Sequence, residues 1–544
     1  MAERFDHDWL VVGSGFGGSV AALRLREKGY SVAVLEAGRR FTDDELPRST
    51  WDLRRYFWAP RLGMQGILRL TTFRDVAVLS GAGVGGGSLG YANTLYRAPD
   101  RFYSDPQWAG LADWRTALAP HYDEAERMLG VAEVIADDPA DQLLREYGRE
   151  IGADRTYAKT RVGVYFGTPG ETVPDPYFGG AGPERTGCVL CGRCMVGCPN
   201  NAKNTLVKNY LWLAERAGAE IQPGRTVIDV RPLGAEDGSD GYAVTSVRTG
   251  AWFRRDRRVQ RVRGVVVAGG ALGTNRLLAR CRLGGSLPRI SARLGELVRT
   301  NSEALLAVTL PDGGADLTKR VAISSSVYPD PDTHIETVTY GRAGGAMYSL
   351  FTVLTGDGTR ITRPLRLLGA LLRHPLRALR TLNPFGWSRN TIIVLVMQTL
   401  DNALALRARR LPWGGVWLRT EQNRERPNPT FIPVANAFAA WLAQRTGGIA
   451  QSSVLEAAAN IPSTAHILGG AVIAPDPSRG VVDARQRVFG YENLMVCDGA
   501  AIPANVGVNP SLTITALAEH AMSHVPRKGD DGDQNTLALS QSLA

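Results

Sequence analysis

The chain has 544 residues, 44% apolar and 21% charged, with 61 glycines, 30 prolines and a formal net charge of +10. That composition excludes a collagenous, fibrous or wholly disordered chain, and at roughly 150 residues per domain it predicts two to four structural units with room for a cofactor. Six cysteines are too few for a disulfide scaffold, and the positive charge permits an anionic partner surface without requiring one.

The N-terminus, MAERFDHDWLVVGSG, runs into a strand without the basic–apolar–small pattern of a signal peptide. No apolar run approaches the ~18 residues needed to span a bilayer. A cytoplasmic protein is expected. Aromatic and basic residues do not interleave, so no nucleic-acid partner is expected.

The first forty residues read as a βαβ unit. Trp9–Val12 is a buried strand, and Gly13-Ser14-Gly15-Phe16-Gly17-Gly18 opens a helix that Gly29 stops. Ser31–Leu35 is the next strand and ends in Glu36. This is the context a G-x-G-x-x-G motif needs to bind a dinucleotide. Gly13 allows the turn, Gly15 lets the backbone approach a pyrophosphate, and Gly18 lets helix and strand pack. The helix N-terminus offers free N–H groups to phosphates. Glu36 would take the ribose hydroxyls and disfavour a 2′-phosphate, leaving FAD or NAD.

A second glycine cluster, Gly81 to Ser88, suits backbone pressed against a flat or phosphorylated ligand. Further on, Cys188-x2-Cys191-x2-Cys194-x3-Cys198-Pro199 reproduces the spacing of a ferredoxin cluster loop. An iron–sulfur cluster, [4Fe–4S] or [3Fe–4S], is the favoured occupant. Zinc and a disulfide remain as rivals, although zinc knuckles usually have a longer gap.

Gly264–Gly270 and Asn493–Gly499 read as further buried strands of the same sheet. The stretch Arg360–Arg389 holds seven arginines among leucines and no Asp or Glu. It suits either amphipathic helices on an anionic membrane or a solvated face. His466 in Thr-Ala-His-Ile-Leu-Gly-Gly is an isolated candidate acid–base group. Asn509-Pro510 reads as a helix cap followed by the first helical residue.

Taken in order, GSGFGG with Glu36, GVGGGSL, VVVAGGALGTNRLL, HILGG and YENLMVCDGAAIPANVGVNPSLTITALAE resemble the glucose–methanol–choline (GMC) flavin oxidoreductases. Within that family the chain looks most like the cholesterol oxidase branch. The resemblance implies an α/β GMC fold, with a Rossmann-like FAD domain interleaved with a mixed-sheet substrate domain. The FAD domain is expected over 1–100, 186–315 and 455–526, the substrate domain over 101–185 and 316–454, and a disordered tail over 527–544.

It implies FAD as cofactor, contacted by Gly13, Gly15, Phe16, Gly17, Gly18, Glu36, Gly83, Gly85, Gly86, Ser88, Asn93, Val227, Asp498, Gly499, Asn509 and Pro510. Ala82 and Tyr91 stand where the family signature carries a basic residue and an asparagine, with Asn93 close by. His466 and Asn509 would face the flavin, and Glu336 is the candidate base of the substrate domain. Expected chemistry is oxidation of a hydrophobic alcohol, such as a sterol's secondary hydroxyl, by hydride transfer to flavin N5.

The cysteine segment, followed by Ala214-Glu215-Arg216-Ala217-Gly218-Ala219, is also similar to the iron–sulfur loop of bacterial GMC glucose dehydrogenases. That favours a dehydrogenase passing electrons through a cluster to a redox protein or quinone. The alternatives are an oxygen-using enzyme that makes hydrogen peroxide, or an electron-transfer flavoprotein with no alcohol of its own. Membrane contact, if made, would run through 360–389 on the inner face.

Overall fold

The computed structural model describes residues 5–253, 255–311, 316–412 and 414–530. His7–Val12 lies at the centre of a seven-stranded sheet. It pairs in parallel with Val32–Glu36 on one side and with Arg258–Val267 on the other. Glu220–Pro223 extends the sheet beyond Val32–Glu36. Arg258–Val267 then divides its free edge. Its first half pairs antiparallel with Tyr242–Arg248, which carries Arg225–Pro232, and its second half pairs in parallel with Leu494–Val496. Val265–Val267 and Leu494–Val496 are apolar at successive positions because both of their faces are buried.

Helix Phe16–Glu27 packs against helix Ser511–Ser523. The Arg24 guanidinium fixes the pair, donating to both oxygens of Glu519 at 2.7 and 2.8 Å, while the Tyr210 hydroxyl donates to the same carboxylate at 2.6 Å. A two-pronged contact of this kind sets orientation as well as distance.

The second seven-stranded sheet runs Phe351–Val353, Ile449–Ser453, Ala304–Thr309, Thr391–Gln398, Thr333–Val338, Ile323–Asp330, Ala158–Lys159. Every pairing is antiparallel, not mixed as expected. Ala304–Thr309, placed by the sequence in the dinucleotide part, is an inner strand of this sheet. A buried strand is apolar in either sheet, so composition does not assign it.

Side-chain alternation gives the second sheet two faces. Leu306, Val308, Ile335, Val394 and Val396 meet Leu144 of helix Pro139–Glu150 and Phe438 and Leu442 of helix Pro433–Thr446. Ala307, Val338, Ile393, Leu395 and Met397 face the other way, into a core shared with Leu89 and Val196 of the dinucleotide part. His334 and Glu336 lie two residues apart on that inner side.

Of the tail expected to be disordered from Arg527, residues 527–530 are held in place. Lys528 reaches Asp8 Oδ2 at 2.7 Å, and its N–H donates to the Lys28 carbonyl at 2.9 Å. Residues 531–544 lie outside the described residues. Among the described residues no helix is long and apolar enough to cross a membrane.

Candidate active site

The glycine turn is shaped by backbone contact. A Cβ would stand 2.3 Å from the Ala268 oxygen at Gly13, 1.6 Å from the Cys497 oxygen at Gly17 and 2.1 Å from the Gly13 oxygen at Gly18. At Gly15 nothing of the protein lies within 4 Å. The second glycine loop presses onto this turn: at Gly86, where φ is +52°, a Cβ would meet Gly15 Cα at 2.7 Å. Ser88 closes the loop on the Gly85 carbonyl at 2.7 Å, and the buried Phe16 ring packs edge-on against Tyr91. Helix Phe16–Glu27 starts at Gly15 with no side-chain cap, so its N–H groups are available on the open side of the turn. These residues fit the pyrophosphate of FAD.

Glu36 is engaged with the turn itself. Its carboxylate accepts from the Ser14 N–H at 3.1 Å, the Ser14 hydroxyl at 2.8 Å and the Gly38 N–H at 2.7 Å. The lone pairs that remain are what a ribose would use. Asp498 accepts from the Thr274 hydroxyl and from the Gly270 and Ala500 N–H groups, and so ties helix Gly270–Gly284 to the strand end. Burial pushes its pKa up to about 6 against those hydrogen bonds. Gly499 opens the short turn that follows, and Val227 sits half-buried at a bulge in Arg225–Pro232. Gly83 and Gly85 belong to the second loop.

Four groups from distant segments come near one another in two pairs, Glu336 with Asn509 and Glu303 with His466. Glu336 is fully buried, and one of its oxygens accepts from the Asn509 amide at 3.4 Å while the other has no partner. Burial, reinforced by the charge of Glu303 and opposed by the Asn509 hydrogen bond, raises its pKa to about 8. Asn509 Oδ1 is likewise buried and unpartnered. His466 Nδ1 lies against Glu303 Oε1, and the other Glu303 oxygen accepts from the Ala465 N–H at 2.9 Å. A carboxylate at Nδ1 keeps the proton on that nitrogen and leaves Nε2 as an acceptor.

Asn509 does not cap the last helix. That helix begins at Ser511 with Pro510 in the cap position and no side-chain cap, because the Asn509 amide is turned to Glu336.

The sequence reading missed Glu303, which lies 163 residues from its histidine with no motif around it. It also missed His334, fully buried with neither ring nitrogen hydrogen-bonded, stacked on Tyr328 at 4.3 Å and edge-on to Tyr96 at 5.1 Å. Desolvation lowers the His334 pKa to about 3, so its ring is neutral. The period-two spacing from Glu336 was the available signal.

Cys188, Cys191, Cys194 and Cys198 are free thiols that line one small pocket. Among the described residues no three His, Cys, Asp or Glu side chains are arranged around a single metal-ion point, which supports neither the zinc left open by the sequence nor, by itself, the iron–sulfur cluster it favoured. Asn93, expected beside the flavin, lines the cysteine pocket. Its backbone carbonyl is drawn there by the Gly163 N–H at 2.8 Å.

Two GMC oxidoreductase family models match residues 183–296 and 410–518, and an NAD(P)-binding Rossmann-like domain model matches 11–44. The chain is 52% identical to a cholesterol oxidase of Mycobacterium tuberculosis over 539 residues, covering 96% of this chain and 92% of that one. It is 46% identical to a cholesterol oxidase of Acinetobacter baumannii over 531 residues, covering 97% and 95%. Among solved structures it shares the fold of pyridoxine 4-oxidase from Mesorbium loti, with a TM-score of 0.61, 16% identity and coverage of 95% and 99%. A fungal aryl-alcohol oxidase gives 0.58 and 15%, over 96% and 99%.

The glycine geometry separates folding from cofactor binding. Gly17→Ala drives a Cβ into the Cys497 carbonyl and is expected to yield protein that is insoluble or free of flavin. Gly15→Ala meets no protein atom, so the apoprotein should melt within a few degrees of wild type while FAD binds at least ~10-fold more weakly. Equal melting and equal FAD affinity for both variants would refute this division.

Proposed function

Because the chain belongs to the GMC oxidoreductase family, with FAD as its cofactor, we propose that it oxidises the 3β-hydroxyl of a sterol and passes the electrons to oxygen. The reading rests on the approach of the His466–Glu303 pair to the Asn509–Glu336 pair, between which one alcohol could be held against the His466 imidazole. Identity of 52% and 46% to two cholesterol oxidases over nearly whole chains supports a sterol and favours an oxidase. The cysteine loop had favoured a dehydrogenase, but nothing in the His466–Glu336 site requires a relay.

Oxidising an alcohol removes a hydride from carbon and a proton from oxygen. FAD supplies the hydride acceptor. His466 takes the hydroxyl proton on Nε2, and the Glu303 carboxylate stabilises the imidazolium that results. Asn509 Oδ1 accepts from the hydroxyl and orients it. Glu336 holds its proton at neutral pH and becomes a second acceptor only as pH rises through about 8.

Anaerobic mixing with a 3β-hydroxysterol should bleach the flavin, and readmitted air should give one peroxide per alcohol. Bleaching without peroxide would overturn the oxygen assignment, and no bleaching would overturn the sterol. His466→Ala should slow flavin reduction at least ~100-fold with FAD still bound. A carboxyl raised to about 8 is protonated below that pH, so flavin reduction should gain a rising limb near pH 8. Glu336→Gln should abolish that limb, and an unchanged profile would remove Glu336 from proton transfer.

The basic segment supports a bilayer as the source of the sterol. Helices Thr362–Arg373 and Pro375–Thr381 leave Leu365, Leu368, Leu372, Leu376 and Leu379 between 54 and 74% exposed. Arg363 points inward to Glu456 and Asn460 and fastens the first helix, and Arg360 pairs with Asp75 at 2.7 Å. Arg366, Arg373, Arg377 and Arg380 stay exposed around the leucines. An apolar face rimmed by cations suits an anionic lipid surface. The protein should sediment with anionic vesicles at low salt, and with neutral ones weakly. Absence of binding to anionic vesicles would overturn this docking.

A further inference from the structure

The four cysteine sulfurs are not disposed like idle thiols. The Leu190 N–H points at Cys188 Sγ at 3.4 Å, the Asn200 amide at Cys191 Sγ at 3.6 Å, and the Ala322 N–H toward the Cys194 sulfur. Hydrogen bonds aimed at sulfur suit thiolates that carry negative charge onto a metal. The loop bends to bring the sulfurs together, with Leu190 at φ +53° and Gly192 and Gly197 at φ +69° and +102°.

The rest of the pocket is richer in donors than its neighbours can use. Asn93 is fully buried in the wall, and neither of its amide atoms has a partner. Arg320, 2% exposed, leaves Nε unpaired there, although its other nitrogens are taken by Asp138, Asp141 and Thr337. The Lys203 ammonium, 1% exposed in the same wall, meets three backbone carbonyls and no carboxylate. Behind Cys198, the 1% exposed Arg185 guanidinium makes no hydrogen bond through any of its three nitrogens. Buried donors left unpaired cost stability, and so do buried cations without counter-charge. One anionic inorganic occupant would satisfy both.

We propose that Cys188, Cys191, Cys194 and Cys198 ligate a polynuclear iron–sulfur cluster, with Asn93 and the buried cations Lys203 and Arg185 as its surroundings. Each cysteine loses its S–H proton and forms one bond to a different iron. A cuboidal cluster therefore holds its thiolates further apart than the ~2.3 Å bonds of tetrahedral zinc allow. That fits four thiols around one pocket without three of them converging on a single-ion point. The cluster and its thiolates keep a net negative charge, which the cations meet. This inference goes beyond the alcohol chemistry and stands whether or not the substrate is a sterol.

The test is elemental analysis of anaerobically purified full-length protein, with ferrous iron and sulfide as the reconstitution probe. Expected are about four irons and four acid-labile sulfides per FAD, with a broad visible absorption that dithionite bleaches. Cys194→Ser should lose iron and sulfide while the flavin spectrum persists. Asn93→Leu should keep the flavin but move the cluster's midpoint potential or lower its iron content. One zinc per chain without sulfide would overturn the proposal, as would four thiols titrating freely in FAD-loaded wild type after reconstitution. Because the decisive measurement is on wild type, a variant that fails to fold leaves the answer intact.

Discussion

The contact between the Asn509 amide and the Glu336 carboxyl is the point at which the molecule's two sheets must agree. Asn509 follows the last strand of the dinucleotide sheet, and Glu336 stands on an inner strand of the antiparallel sheet. Their 3.4 Å approach requires the two folds to dock in one relative position. It is an expensive place for a carboxyl. The unfolded chain releases the Glu336 proton near 4.5, whereas the folded chain holds it to about 8. Stability therefore falls as pH rises through that window, because the native state binds more protons than the unfolded one. A fold that keeps such a group there also shields it from solvent, which strengthens every electrostatic interaction it makes.

The other half of the site is arranged by the same docking. Glu303 stands at the entry to the strand Ala304–Thr309, within the antiparallel sheet, yet its carboxylate serves His466 of the dinucleotide part. Histidine and glutamate thus come from opposite sides, as Asn509 and Glu336 do. Two cross-domain pairs make the site a property of the interface, and neither domain carries it alone. The glycine loop Gly83–Ser88 plays a related part. It presses on the Gly15 turn from one side and shares the core of Val338 and Leu395 through Leu89 on the other.

Features carried by neighbouring residues were legible in the sequence. The first βαβ unit needs only a strand, a spaced set of glycines and an acid, and it forms where expected. Gly13, Gly17 and Gly18 are glycines because backbone oxygens stand within 2.3 Å of where a Cβ would be. His466 and Asn509 were singled out by local motifs and the family resemblance, and each stands against a buried carboxyl. What failed was whatever depends on a partner far along the chain. Asn509 reads locally as a cap and is diverted by a glutamate 173 residues away. Glu303 has no local signature, since its meaning lies wholly in the imidazole it faces. The antiparallel order of the second sheet was hidden for the same reason, because its buried strands look alike whichever way their neighbours run.

Lys203 shows how closely the two chemistries of the chain are joined. Its ammonium takes the carbonyls of Leu89 and Tyr91, just beyond the second glycine cluster, and that of Cys194 in the cysteine loop, at 2.8 to 3.0 Å. A buried ammonium held only by carbonyl dipoles sits in a medium that stabilises charge poorly, and desolvation lowers its pKa to about 7 against the pull of the Cys194 and Cys198 sulfurs. That charge falls between the loop that shapes the flavin site and the loop that gathers four thiols. Any change in negative charge at the cysteines is then felt, through one side chain, by the backbone that presses on the Gly15 turn. The cysteine loop and the backbone that presses on the Gly15 turn are therefore joined through one buried side chain.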